Sequence, residues 1–362
     1  MGKPIFTFFL VFLSMSCIVS FLPVTISNAV THTTKSRIQI SGEVDDNIGE
    51  DSSNPLAGNA LRFFSTIQGK GQLSPTIPYD YDMVVGYRGY RSYAQENRMV
   101  LQARSNLSRD LSGLLFCGIT GNVFLEDYRT KYRDNYSIFS SLYLTLPQNV
   151  LKVFYLSFQI QPSATQYPDD KFFNFTDKGW SLDVRRKVNK RLTVLGGFTY
   201  RPRSYDRKAL TKIWNTYQTQ LLSAQFSQRD ITNEYSAGVQ YFRRFLLSAW
   251  FVFRNTNSNS YGFSNRENRF IVIAGSPFAF ESMLKMYLTV ESKHYDEKLK
   301  IPILTDIDED KEEDNRLIIE LSRDILPSLA FELRYEWFRN ESRIRNLYYS
   351  KHVISSGLEY SF

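Results

Sequence analysis

From about residue 37 to the C-terminus the chain repeats one pattern, in which apolar and polar side chains alternate over roughly ten to fourteen residues, break, and resume. The clearest rows lie late. Leu329, Phe331, Leu333, Tyr335 and Trp337 alternate with Ala330, Glu332, Arg334, Glu336 and Phe338, and Leu317, Ile319 and Leu321 with Ile318, Glu320 and Ser322. Phe280, Leu284, Met286, Leu288 and Val290 form another apolar row, interleaved with Glu281, Lys285, Thr289 and Glu291. Earlier, Met99, Leu101, Ala103 and Leu107 oppose Val100, Gln102, Arg104 and Asn106, while Leu61, Phe63, Ser65 and Ile67 oppose Arg62, Phe64, Thr66 and Gln68. A period of two puts successive side chains on opposite faces of a strand, so each segment is a strand with one apolar and one polar face. A soluble sandwich alternates in this way too, and the weight rests on the number of such segments in one chain.

Ile354, Leu358, Tyr360 and Phe362 fall on one face of the last segment, with Ser356 the one polar member of that row, and Ser355, Gly357, Glu359 and Ser361 fall on the other. A chain ending on such a strand with a terminal Phe resembles bacterial outer-membrane barrels. The resemblance implies that Leu358, Tyr360 and Phe362 are read by the barrel-insertion machinery. The predicted fold is therefore an all-β, transmembrane, antiparallel up-and-down barrel of about 16 to 18 strands.

The connections fall into two classes. Short turns are expected at 108–112, 147–150, 188–192, 242–245, 275–278 and 323–328. Longer loops are expected at 45–59, 90–97, 126–134, 161–179, 200–215, 255–266, 293–315 and 339–347. Barrels of this class put short turns in the periplasm and long loops outside, so both termini are expected to be periplasmic and the strand count even. The tetrad Leu-Ser-Arg-Asp recurs at Leu107 to Asp110 and Leu321 to Asp324, each time closing a descending strand. Ala209 to Tyr217 fits poorly: as a descending strand it gives about eighteen strands, as part of a loop about sixteen.

The N-terminus changes the picture of the whole chain. Lys3, an apolar run from Ile5 to Leu13, a second apolar patch through Ile18 and Phe21, and the small-residue site Ser27-Asn28-Ala29 compose a secretory signal peptide, residues 1–29. Two other readings compete. A retained helical anchor needs about 20 uninterrupted apolar residues, whereas Ser14, Ser16, Ser20 and Pro23 interrupt the run. Lipid attachment at Cys17 lacks a Leu three residues before it. The expected organisation is thus a signal at 1–29, a short periplasmic segment at 30–36 and a barrel from 37 to 362.

Loss of Lys3 takes the formal charge from +7 to +6. Charged residues make up 22% of the chain, too polar for a helical membrane protein, while 23 Tyr and 28 Phe suit the aromatic girdles of a membrane barrel. Cys117, the lone cysteine after the signal, is expected on the lipid face.

Candidate chemistry is sparse. His occurs at 32, 294 and 352, and His352 with Ser355 or Ser356 is the one grouping resembling a hydrolase pair. The two serines are neighbours along one strand rather than across two, so an enzyme is not expected. The acidic run of Asp306, Asp308, Glu309, Asp310, Glu312, Glu313 and Asp314 departs from a calcium loop, with Lys311 where Gly is needed and Leu317 where Glu is needed. It reads as a solvated loop, and no metal or other cofactor is implied. Basic residues gather with tyrosines at 128–133, 200–212 and 339–349, a pattern suited to lipopolysaccharide phosphates or an acidic glycan, or equally to an interfacial girdle. Nucleic acid is not an expected partner of an exported membrane protein.

The residues expected to face the lumen are Arg62, Arg88, Arg104, Asp183, Arg185, Glu281, Lys285, Glu320, Glu332, Arg334 and Glu336. Two family resemblances bear on function. The stretch Ser41-Gly42-Glu43-Val44-Asp45-Asp46-Asn47, a strand running into an acidic Asp-Asn segment, and the cadence of Arg- and Tyr-rich strand ends resemble outer-membrane porins associated with exopolysaccharide loci. The barrel is also similar to that of surface-lipoprotein assembly modifiers, without their preceding helical repeats. The implied function is a passive channel for small solutes or for polysaccharide export, with polysaccharide-export proteins as candidate partners beside outer-membrane lipid and lipopolysaccharide. A closed barrel serving assembly, adhesion or anchoring is the alternative.

Overall fold

A computed structural model describes residues 32–50, 54–111, 113–128, 134–147, 154–214, 219–297, 314–340 and 349–362. Sixteen strands occur among them: β1 His32–Asp45, β2 Gly58–Ser74, β3 Ile77–Tyr90, β4 Arg98–Leu111, β5 Leu115–Tyr128, β6 Asn135–Leu146, β7 Phe154–Gln166 and β8 Phe175–Lys187, then β9 Leu192–Trp214, β10 Thr219–Phe242, β11 Leu246–Ser258, β12 Asn265–Pro277, β13 Ser282–Tyr295, β14 Asp314–Leu326, β15 Leu329–Asn340 and β16 Tyr349–Ser361. Each pairs antiparallel with its sequence neighbours, and β16 returns to pair with β1, closing the barrel. Closure matters energetically, because an open sheet edge in lipid would leave a row of unpaired peptide groups. The seam continues to the last residue, where Phe362 donates its N–H to the Ser36 carbonyl at 2.9 Å.

The two faces can be told apart by reach. Arg62 on β2 lies 3.4 Å from Glu336 on β15, although β1 and β16 intervene. Three strand spacings amount to about 14 Å along the sheet, so these side chains meet only by converging on the concave side. Register then assigns every strand. Ser41, Glu43 and Asp45 point inward with Arg62, Arg88 and Glu336, while Ile40, Val44, Leu61 and Tyr87 point outward.

Large apolar side chains lie bare on the outer face of strand after strand, including Leu142, Phe251, Ile354 and Leu358. The rings of Phe158, Trp180, Phe198, Tyr235 and Phe253 join in an unbroken outer chain from β7 to β11, with centroids 5.0 to 6.4 Å apart. Apolar surface on this scale is unfavourable in water, and an apolar outer belt on a closed barrel is the surface of a protein embedded in a bilayer. Cys117 sits on this outer face between Leu115 and Ile119, as expected.

Four expectations need correction. The first strand begins at His32, and Thr33 to Ser36 pair with Lys70 to Ile67, so 32–36 is barrel wall rather than a lead-in segment. The segment 200–215 is not a loop. It is the far half of β9, which at 23 residues pairs with the 24-residue β10, whereas the other strands have 12 to 17. Its charged and aromatic residues obscured a strand that simply continues past the rim. Likewise 161–179 contracts to a connection between Gln166 and Phe175. Lastly, the row from Phe280 to Val290 breaks at its start, because Phe280 and Glu281 form the β12–β13 turn with positive φ of 57° and 58°. The two Leu-Ser-Arg-Asp tetrads do sit at the same place in the architecture, closing β4 and β14. The expected signal lies outside the described residues.

Candidate pore wall

The inner wall is organised by ion pairs between facing strands. Glu43 is buried and receives both Arg62, at 3.2 Å, and Arg88. Glu336 lies 3.4 Å from Arg62, 3.1 Å from Arg316 and 2.9 Å from Arg334, so one carboxylate gathers three guanidinium groups. Asp45 accepts from Tyr90 Oη at 2.8 Å and lies 2.9 Å from Lys351. Nearer the end where β1 starts and β16 stops, Lys285 lies 2.6 Å from Glu320, and Gln39 Nε2 donates to Glu332 at 3.0 Å. Together these groups line the concave side from β13 through the seam to β3.

A second ladder crosses β10 to β13. Arg254 lies 2.8 Å from Glu234 and 2.9 Å from Glu267, and Arg269 lies 2.8 Å from both Glu267 and Glu291. A third cluster occupies β8 to β10. Arg203 binds Asp177 through two N–H groups, at 2.9 and 3.2 Å, with its guanidinium 3.7 Å from the Phe175 ring centroid. Carboxylates held by two or three guanidinium donors are charge-assisted and geometrically fixed, so these ladders stiffen the wall.

Among the residues expected inside, Arg62, Arg88, Lys285, Glu320, Glu332, Arg334 and Glu336 come together in the first network. Arg104, Asp183 and Arg185 share the inner face by register: Arg104 faces Asp82 and Asn122, Asp183 faces Ser157 and Gly197, and Arg185 lies 5.4 Å from the Tyr155 ring. Glu281 is the exception. It lies exposed in the β12–β13 turn, because the polar alternation was extended one step too far into a left-handed turn. The sequence reading left out Asp45, Arg254, Glu267, Arg269, Glu291 and Lys351 as inner residues. Their signal was present, since each follows its strand's parity; Arg254, for example, alternates with Phe251 and Phe253.

The other candidate groupings come apart or lie elsewhere. Ser355 points inward and His352 outward, while Ser356 is four residues further along the strand, about 13 Å away. His352 Nδ1 instead lies 2.9 Å from Tyr335 Oη. Of the three basic clusters, the one at 200–212 is on β9, with Arg201, Arg203, Tyr205 and Arg207 facing inward. The residues at 129–133 and 341–348, like the acidic run from Asp306 to Glu313, lie outside the described residues, and Asp314 opens β14. Leu358, Tyr360 and Phe362 form one exposed row on the outer face at the closing seam.

No protein-family model matches the chain, and no curated protein matches it. Solved structures with a similar barrel include the anion-selective porin of Comamonas acidovorans, at 10% identity and TM-score 0.48, covering 92% of this chain and all of that one. A bacterial polysaccharide outer-membrane secretin shows 7% identity and TM-score 0.46 over 90% of this chain and 98% of its own. Outer-membrane-expressed OmpT of Vibrio cholerae shows 8% identity and TM-score 0.47, covering 93% and 99%.

Proposed function

We propose that this protein is a porin-like channel of the bacterial outer membrane. The observation that carries the reading is the pairing of an apolar outer belt with a charged, ion-paired inner wall on a closed sixteen-strand barrel. Barrels of sixteen to eighteen strands are wide enough to leave an aqueous lumen. A wall on which both signs of charge are fixed in place acts on passing solutes through its field rather than through mobile side chains. The channel serves passive passage of small solutes, with export of a polysaccharide as the narrower form of the same activity.

In this reading both termini and the short turns face the periplasm, and the long connections face outside. Leu358, Tyr360 and Phe362 serve the insertion machinery, the outer face and basic rim meet lipid and lipopolysaccharide, and polysaccharide-export proteins are the partners for the export variant. The inner residues Arg62, Arg88, Arg104, Asp183, Arg185, Lys285, Glu320, Glu332, Arg334 and Glu336 set selectivity. Planar-bilayer recording of the refolded barrel tests this directly. Stable open channels whose ion selectivity changes on Glu267→Gln are expected. A persistently silent barrel refutes the channel and leaves assembly, adhesion or anchoring.

A further inference from the structure

Charge is unevenly spread around the inner wall. The inner rows of β5, β6 and β7 run Phe116, Gly118, Thr120, Asn122, Phe124, Glu126 and Tyr128, then Asn135 to Thr145 by twos, then Tyr155 to Thr165 by twos, and Glu126 is the one charged residue in them. Even that carboxylate is occupied, since it accepts from Arg98 at 3.0 Å, Tyr128 Oη at 3.0 Å and Asn135 at 3.3 Å. The rest of these three rows is glycine, amide, hydroxyl and aromatic, and apart from the Arg98–Glu126 pair the ion pairs named above lie from β8 through the seam to β3.

Two features of this sector are unusual. Phe139 points into the lumen and is 42% exposed, a bare phenyl ring with a second inward ring, Phe124, on the neighbouring strand. Beside it on β5, Asn122 Oδ1 is buried without a hydrogen-bond partner. Both line a cleft of about 420 Å³ with Gln102, Phe124, Ser137 and Thr165 and, at one end, the carboxylate of Glu126, a size within the range of small-ligand sites. An unmet buried carbonyl and an apolar ring facing water are both unfavourable, so the cleft suits a ligand that supplies both a donor and an apolar face.

We propose that the inner wall of β4 to β7 carries a binding subsite for a residue of an uncharged glycan. A pyranose has hydroxyl donors around its rim and an apolar C–H face. Its hydroxyls bond the Asn122 and Gln102 amides, and its C–H face lies on Phe139 and Phe124. The one carboxylate lining the cleft, Glu126, is already held by Arg98, Tyr128 and Asn135, so the groups left to a ligand there are amides, hydroxyls and rings, which a neutral sugar meets without desolvating an ion. The subsite rests on the channel reading in that the lumen must admit the glycan.

Calorimetry of the refolded full-length barrel with uncharged α- and β-linked glucose hexasaccharides, and with an oligouronate of equal length, tests this without reference to conductance. At least one neutral hexasaccharide is expected to bind, and Phe139→Ala or Asn122→Ala to weaken it tenfold or more. Phe139→Tyr and the outer-face Ile138→Ala are expected to leave binding unchanged. Each variant is first checked for native heat-modifiable migration, and one that fails to fold is replaced by Phe124→Leu or Gln102→Ala at the same cleft. No binding of either neutral oligomer, binding indifferent to the cleft variants, or an oligouronate bound as tightly overturns the proposal. Open channels without glycan binding would sink the subsite alone, whereas binding to an electrically silent barrel would sink the channel reading alone.

Discussion

At the scale of single residues, the barrel's two faces turn neighbouring positions into opposite environments. Ser141 and Leu142 on β6 are adjacent, but Ser141 faces the lumen and Leu142 is 55% exposed on the outer face. Leu142→Arg is expected to cost about 2–4 kcal/mol in urea unfolding from lipid or detergent, and Ser141→Arg close to nothing. Glu43 makes the complementary case. Removing its charge by Glu43→Gln leaves Arg62 and Arg88 side by side on β2 and β3 without their shared carboxylate. A loss of about 3 kcal/mol is expected from the same unfolding measurement, since Arg62 keeps Glu336 but Arg88 loses its carboxylate partner inside the wall. Face was legible at these positions because parity is a local property. Partner choice was not, since Arg62 and Glu336 are 274 positions apart and meet only when the barrel closes.

Among the elements, the hairpin of β9 and β10 departs most from the rest. Its far half is held by Arg207, which is buried, donates to Gln228 Oε1 at 2.8 Å and lies 4.3 Å from the Tyr205 ring and 4.8 Å from that of Phe263. The β11–β12 connection leans on it as well, through Leu210 N–H donating to Ser260 Oγ at 2.9 Å and Tyr261 N–H to the Leu210 carbonyl at 2.9 Å. Each desolvated cation–ring contact contributes up to about 2 kcal/mol. Arg207→Ala is therefore expected to speed protease cleavage near 205–212 at least severalfold while heat-modifiable migration stays native. Sequence reading missed this element because Arg, Lys and Tyr in succession look like a solvated loop, and only contact with the neighbouring loops makes them a buried stem. The closing strand was easier to see, since its outer row carries Ile354, Leu358, Tyr360 and Phe362 with Ser356 as the one polar member. Deleting Phe362 removes two backbone hydrogen bonds to Ser36 and the last ring of the outer row. Folded barrel recovered from membranes is expected to fall sharply, and normal levels of inserted truncated chain would refute the terminal signal.

For the molecule as a whole, closure is the cooperative step. The barrel has no free edge among its described strands, so deleting residues 349–362, β16 together with Phe362, opens both β1 and β15. Full loss of heat-modifiable migration is expected, rather than the partial loss of a trimmed end. What the sequence by itself determined was the strand period, the apolar outer rows, the all-β barrel class and most of the inner face, because each depends on side chains two positions apart. The tertiary structure decided the count of sixteen, the continuation of β9 past the rim, the turn that removes Glu281 from the wall, and the gathering of most ion pairs on one part of that wall. Those features depend on which distant strands become neighbours, and alternation along one strand carries no information about what stands across the lumen.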